Sequence, residues 1–118
     1  MKLVILGQIP SLKNSVKVYQ NRVYTDPKTK DFMDEAKAEL KTQWKRKPLE
    51  QADNLTCVFY HKDARPRDIP NELDTVADIL KGIVIKDDNM NCLPSIQLQY
   101  GGIDKKCPRA EIWVDFNE

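Results

Sequence analysis

The sequence predicts an α+β fold, a mixed β-sheet with two main helices packed on it, and three observations carry that expectation. Two segments place apolar residues three and four apart, as one face of a helix requires. Several shorter segments alternate or run apolar over four to eight residues, as strands do. The two kinds interleave as β-ββ-α-β-α-β-β, so the helices lie between strands of one sheet. At 118 residues the chain has the length of one domain with one core, spanning 1–118.

The elements follow in order. Residues 3–7 are an apolar run closed by Gln8, Pro10 and Ser11, which suits a strand. Val16 and Val18, then Val23 and Tyr24, flank Gln20-Asn21 as a hairpin, and Asn21 tolerates the positive φ of a tight turn. Thr25 or Asp26 caps a helix opening at Pro27, whose inner stripe is Phe32, Met33, Ala36, Leu40 and Trp44 and which Pro48 stops. Residues 55–61 are rich in Val, Phe, Tyr and Thr and read as a strand. Asn71 is the expected N-cap of a second helix, with Leu73, Val76, Ala77 and Leu80 inward and Gly82 as its stop. Residues 83–85 are too short for a helix and are expected to join the sheet or lead to a turn at Asp87-Asp88-Asn89. Residues 95–100 and 110–116 alternate, with Ile96, Leu98 and Tyr100 on one face and Ala110, Ile112, Val114 and Phe116 on another.

Charge is distributed more informatively than the net +1 implies. Residues 13–47 hold ten Lys/Arg against five Asp/Glu, whereas residues 68–88 hold six acids against Lys81 and Lys86. The start MKLVILGQIP has no basic segment followed by a long apolar run, and no stretch approaches the roughly 18 apolar residues of a membrane span. An intracellular, cytoplasmic protein without a membrane anchor is expected. Cys57, Cys92 and Cys107 show no CxxC spacing and His61 is the single histidine, which argues against zinc and disulfide frameworks and for reduced thiols.

The acids Asp68, Glu72, Asp74, Asp78, Asp87 and Asp88 must be either spread over solvent or gathered around a cation, because carboxylates repel. Asp74 and Asp78 are helix neighbours, and like charges at that spacing cost a few tenths of a kcal/mol. Glu72 and Asp74 in a first helical turn would also favour the helix dipole, so spacing alone does not choose. Asp68 and Asp87-Asp88 stand at the ends of separate elements, where a fold can hold carboxylates rigidly as a hard-oxygen site for Mg²⁺ or Mn²⁺.

The stretch RDIPNELDTVADILKGIVIKDDNM resembles the signature of the RusA family of Holliday junction resolvases, through Asp68, Asn71, Asp78, Leu80, Gly82, Asp87 and Asp88. A looser likeness runs through GQIPSLKNSVKVYQNRVYTDPKTKDFMDEA, which resembles the family's basic N-terminal stretch, hairpin and approach to the first helix. The resemblance implies a RusA-like nuclease domain that cleaves four-way junction DNA by metal-dependent phosphodiester hydrolysis in DNA recombination and repair. It implies Asp68 and Asp88 as catalytic, metal-binding carboxylates for Mg²⁺, or Mn²⁺ in its place. Two positions depart from the family: Pro70 stands where the second acid of its Asp-x-Asp would be, and Asp74 where it has a lysine. Asp74 is the candidate replacement ligand, with Glu72 competing and Asp87 beside Asp88. The missing lysine's role falls to Arg65, Arg67 or Lys86, or stays unfilled, and a catalytically degenerate junction-binding protein is the alternative.

DNA approaches such acids only if cations surround them. Lys13, Lys17, Arg22, Lys28 and Lys30, with Arg65 and Arg67 beside Asp68, are the expected phosphate-binding rim. Tyr19, Tyr24 and Tyr100 are either base-stacking or core residues. A four-way junction is nearly two-fold symmetric and needs paired cuts, so a homodimer is expected, with a terminal strand edge or Ile103 and Trp113 as candidate contacts.

Overall fold

The computed structural model describes residues 1–11, 16–19 and 22–117, and of residues 16–19 and 22–25 the backbone alone. Its elements run β1 (Lys2–Leu6), β2 (Val16–Tyr19), β3 (Arg22–Thr25), α1 (Pro27–Gln43), β4 (Asn54–His61), α2 (Ile69–Leu80), β5 (Ile96–Ile103) and β6 (Arg109–Asp115), in the expected order. The sheet order is β1-β6-β4-β5, with β4 and β5 parallel and the other pairs antiparallel, so the sheet is mixed. The β2-β3 hairpin forms its own antiparallel pair, and its expected turn residues Gln20 and Asn21 lie outside the described residues.

Alternation along the strands decides which face is covered. Leu3 and Ile5, Leu55, Cys57 and Phe59, and Ala110, Ile112 and Val114 are buried on the helix side. Met33, Ala36, Leu40 and Trp44 of α1 and its C-cap meet them, as do Val76, Ile79 and Leu80 of α2. Trp44 also packs edge-on against Phe116, with ring centroids 5.5 Å apart. Cys57 belongs to this core, and burial pushes its thiol up to about 12; Cys57, Cys92 and Cys107 are all unpaired. No described helix is long and apolar enough to cross a membrane.

Two expectations are corrected. Helix α2 begins at Ile69 with Asp68, not Asn71, as its N-cap: Asp68 accepts from the Asn71 backbone N–H at 3.3 Å and from Asn71 Nδ2 at 2.9 Å. Pro70 permits the earlier start, because the first turn has no intrahelical use for its missing N–H. Asp74 therefore falls outside the first turn, which holds Glu72 alone of the acids. Of the two alternatives for residues 83–85 the turn holds: Gly82 N–H bonds to Ile85 O at 2.7 Å, and Val84 and Ile85 are buried. Gly82 does stop α2, at a φ of 83° that suits glycine.

Ile96, Leu98 and Tyr100 share a side with buried Leu55, Cys57 and Phe59, their parallel partners, yet stay 37–45% exposed. Alternation predicts which face a side chain joins, not how far the covering helices extend over it.

Candidate functional site

The chain leaves β1 through Gly7, at a φ of 97° that favours glycine. A Cβ there would stand 3.1 Å from Phe32 Cε2, so glycine also lets this turn close over α1. The turn brings Gln8 to the start of α2. Its Nε2 donates to Glu72 Oε1 at 3.1 Å, and its Oε1 accepts from the Lys62 backbone N–H at 2.9 Å. Glu72 Oε2 meets His61 Nε2 at 2.9 Å, with both residues buried. Gln8, His61 and Glu72 thus tie the ends of β1 and β4 to the first turn of α2. Burial raises the Glu72 carboxyl above its ordinary range, and His61 and Arg67 draw it part of the way back. The Tyr100 ring lies 5.0 Å from the His61 ring, a packing contact from β5.

Sequence reading left His61 without a role and offered Glu72 as a metal ligand. The pair had a sequence signal: Glu72 lies one turn before Val76 on the buried face of α2, where a carboxylate requires a partner.

Beside this pair opens a cleft of about 680 Å³. Lys28 and Thr29 reach it from α1, Lys62, Arg65 and Arg67 from the loop after β4, and Asp68 from the cap of α2. Arg67 is held by Asp63 at 2.8 Å and by the Arg65 carbonyl at 3.3 Å. The Arg67 hydrogen bond, with the Arg65 backbone N–H, holds the Asp63 carboxyl down at about 2. The basic loop therefore has a defined shape. Lys28, Arg65 and Arg67 stand where the rim was expected, and Lys62 joins them without having been singled out. Lys30 is exposed on α1 but does not line the cleft. Lys13 lies outside the described residues, and for Lys17 and Arg22 only the backbone on β2 and β3 is described. Lys86 pairs instead with Glu50 and does not line the cleft.

The acids divide between the two ends of α2. Asp68 and Glu72 lie at its start, Asp68 separated from the C-cap by about 18 Å of helix. Near its end Asp87 pairs with Lys81 at 3.3 Å, and Asp78 and Asp88 add to the field that raises the Lys81 pKa after the Asp87 hydrogen bond. Asp87 is occupied within its own turn, accepting from Asp88 N–H at 2.8 Å and Asn89 Nδ2 at 3.1 Å. The Asp88 hydrogen bond, and then the Lys81 ammonium, hold its carboxyl below the usual range. Asp74 and Asp88 are exposed. Among the described residues no three His, Cys, Asp or Glu side chains are grouped to hold a metal ion.

At one end of α2, then, the fold offers a basic cleft with a carboxylate at its edge, and at the other a group of surface acids. No curated protein sequence matches the chain. Residues 7–115 match the family model of Endodeoxyribonuclease RusA, a span that takes in the hairpin, both helices, the basic cleft and both groups of acids. This chain belongs to the RusA endodeoxyribonuclease family.

Proposed function

We propose that the protein is a metal-dependent, structure-selective endodeoxyribonuclease that hydrolyses phosphodiester bonds in four-way junction DNA, in recombination and repair. The family match over residues 7–115 carries this reading, and the basic cleft beside Asp68 supports it. Lys28, Lys62, Arg65 and Arg67 bind phosphate oxygens and orient the strand, the sequence-independent part of DNA recognition. Lys13, Lys17, Arg22 and Lys30 extend the positive field along the duplex arms.

Asp68 and Asp88 are the proposed Mg²⁺ or Mn²⁺ ligands, with Asp74, Asp87 and Glu72 as supporting carboxylates. One chain does not gather them, since the donors lie at opposite ends of α2. We therefore assign no catalytic step to the ion within a single chain. The split favours a homodimer, as do the two cuts a junction requires. Strand β5 offers a contact: its outer edge has no strand partner among the described residues, its eight residues carry no charge, and Ile96, Leu98, Tyr100 and Ile103 are exposed along it.

A binding-only protein is the second reading, favoured by the occupied carboxylate of Asp87 and by Pro70 and Asp74 at the two departing positions. One assay separates the two. A labelled four-way junction and a linear duplex of the same sequence are incubated with protein and millimolar Mg²⁺ or Mn²⁺. Symmetric cuts in the junction alone establish the nuclease. Tight junction binding with no cut under either ion establishes the second reading, and equal treatment of both DNAs removes both.

A further inference from the structure

The cleft lining combines two unlike chemistries. It contains Lys28, Lys62 and Arg65, none held in an ion pair among the described residues. It also contains the apolar residues Phe32, Pro10, Pro66 and buried Ile9. The Phe32 ring is fixed against Gly7 and packs on the core, and the Pro10 carbonyl is anchored by the Thr75 hydroxyl at 2.6 Å. The apolar part of the lining is therefore built before any ligand arrives.

A surface that merely follows a duplex backbone has no use for an apolar wall, because the bases it would meet are stacked inside the helix. A single unpaired nucleotide presents both chemistries at once: an anionic phosphate and, about one sugar away, a flat apolar face. The volume of about 680 Å³ lies within the range of small-ligand clefts. Two carboxylates share the lining, but Glu72 is turned to His61 and Gln8 and Asp68 to Asn71, which leaves the cationic side open to an anion.

We propose that this cleft holds one unstacked nucleotide, with its phosphate on Lys28, Lys62 and Arg65 and its base against Phe32 and the flanking prolines. The inference rests on reading the cleft as a DNA-phosphate site and adds its occupant. It gives the protein a means of telling a branch point or strand end from an intact duplex, since only the former releases a base at low cost.

The test uses thymidine 3′,5′-bisphosphate and inorganic phosphate as probes, titrated separately into the full chain without metal and followed by amide chemical shifts. The nucleotide should bind at least about tenfold more tightly than phosphate, the share of one base stack, and shift the amides of Gly7, Lys28 and Phe32. Phe32→Leu, which keeps an apolar side chain at the core, should weaken the nucleotide about tenfold and leave phosphate binding unchanged. Lys62→Ala with Arg65→Ala should weaken both probes. Equal affinity for the two probes, or no nucleotide binding up to about 10 mM, would overturn the proposal, and the wild-type titration alone decides this if Phe32→Leu does not fold. Junction cleavage without nucleotide binding would defeat this inference alone. Nucleotide binding by a protein that ignores junctions would support it and defeat the junction reading.

Discussion

At the start of α2, Glu72 is buried 2.9 Å from His61 and bonded to Gln8, while at its end Asp78 and Asp88 stand in solvent around Lys81. One run of acids thus serves two purposes. The buried carboxylate fixes where three elements meet, so its loss should appear as lost stability. The surface carboxylates fix nothing in the fold, so any necessity they have must come from what the protein binds.

The sharpest way to break this contrast is Glu72→Ala. It strips His61 Nε2 and Gln8 Nε2 of their shared acceptor in a buried site, and should cost about 3–5 kcal/mol in urea unfolding. A cost under about 1 kcal/mol would mean the two ends do not differ. Asp88→Asn is the opposite case, with stability unchanged within about 0.5 kcal/mol. Under the proposed function it should lower junction cleavage at least about 100-fold, some 2.7 kcal/mol of barrier, while junction binding holds or tightens. Wild-type turnover by this variant would remove Asp88 from the site.

Asp68 caps α2 and, under the proposed function, is also a metal ligand, so it sharpens the comparison. Asp68→Ala should cost about 1 kcal/mol through the lost cap, whereas Asp68→Asn, a good cap, should restore stability without restoring cleavage. The smallest effect is in pH dependence. The Glu72 pKa is raised, so its contribution is complete below the ordinary carboxylate range and is lost as pH rises through the raised value. The Asp87 pKa is lowered, so its contribution is present above that range and is lost as pH falls through the lowered value. Stability curves against pH should therefore lose their alkaline-side decline in Glu72→Gln and part of their acid-side decline in Asp87→Asn.

The strand and helix order was legible because periodicity reports which residues share a face, and the stripe Met33, Ala36, Leu40, Trp44 lies where it was expected. The cap of α2 was misplaced by three residues because Asp68 and Asn71 are both good caps, and only Pro70's fit in the first turn selects the earlier one. The exposure of β5 depends on how far the helices reach across the sheet, a distance that no local pattern encodes. At the site, clustering of acids in sequence was visible but the division of Asp68 from Asp87 and Asp88 by a helix about 18 Å long was not, because a helix between two segments separates what the chain lists side by side. Lys62 and Gln8 joined the cleft because the sheet brings the ends of β1 and β4 together with β6 between the two strands, a long-range arrangement for which sequence spacing gives no signal.

In the four-stranded sheet, β1 has β6 as its strand neighbour, pairing Lys2 with Trp113 and Leu6 with Arg109. This has a consequence for how the protein is made. While the chain is being synthesised, Leu3 and Ile5 have no strand to join until β6 has emerged, so the sheet that positions Gln8 closes last. Such distant pairing raises contact order and slows folding. The nascent chain therefore presents its basic hairpin and first helix well before the cleft exists, and DNA affinity gained at that stage would be electrostatic only.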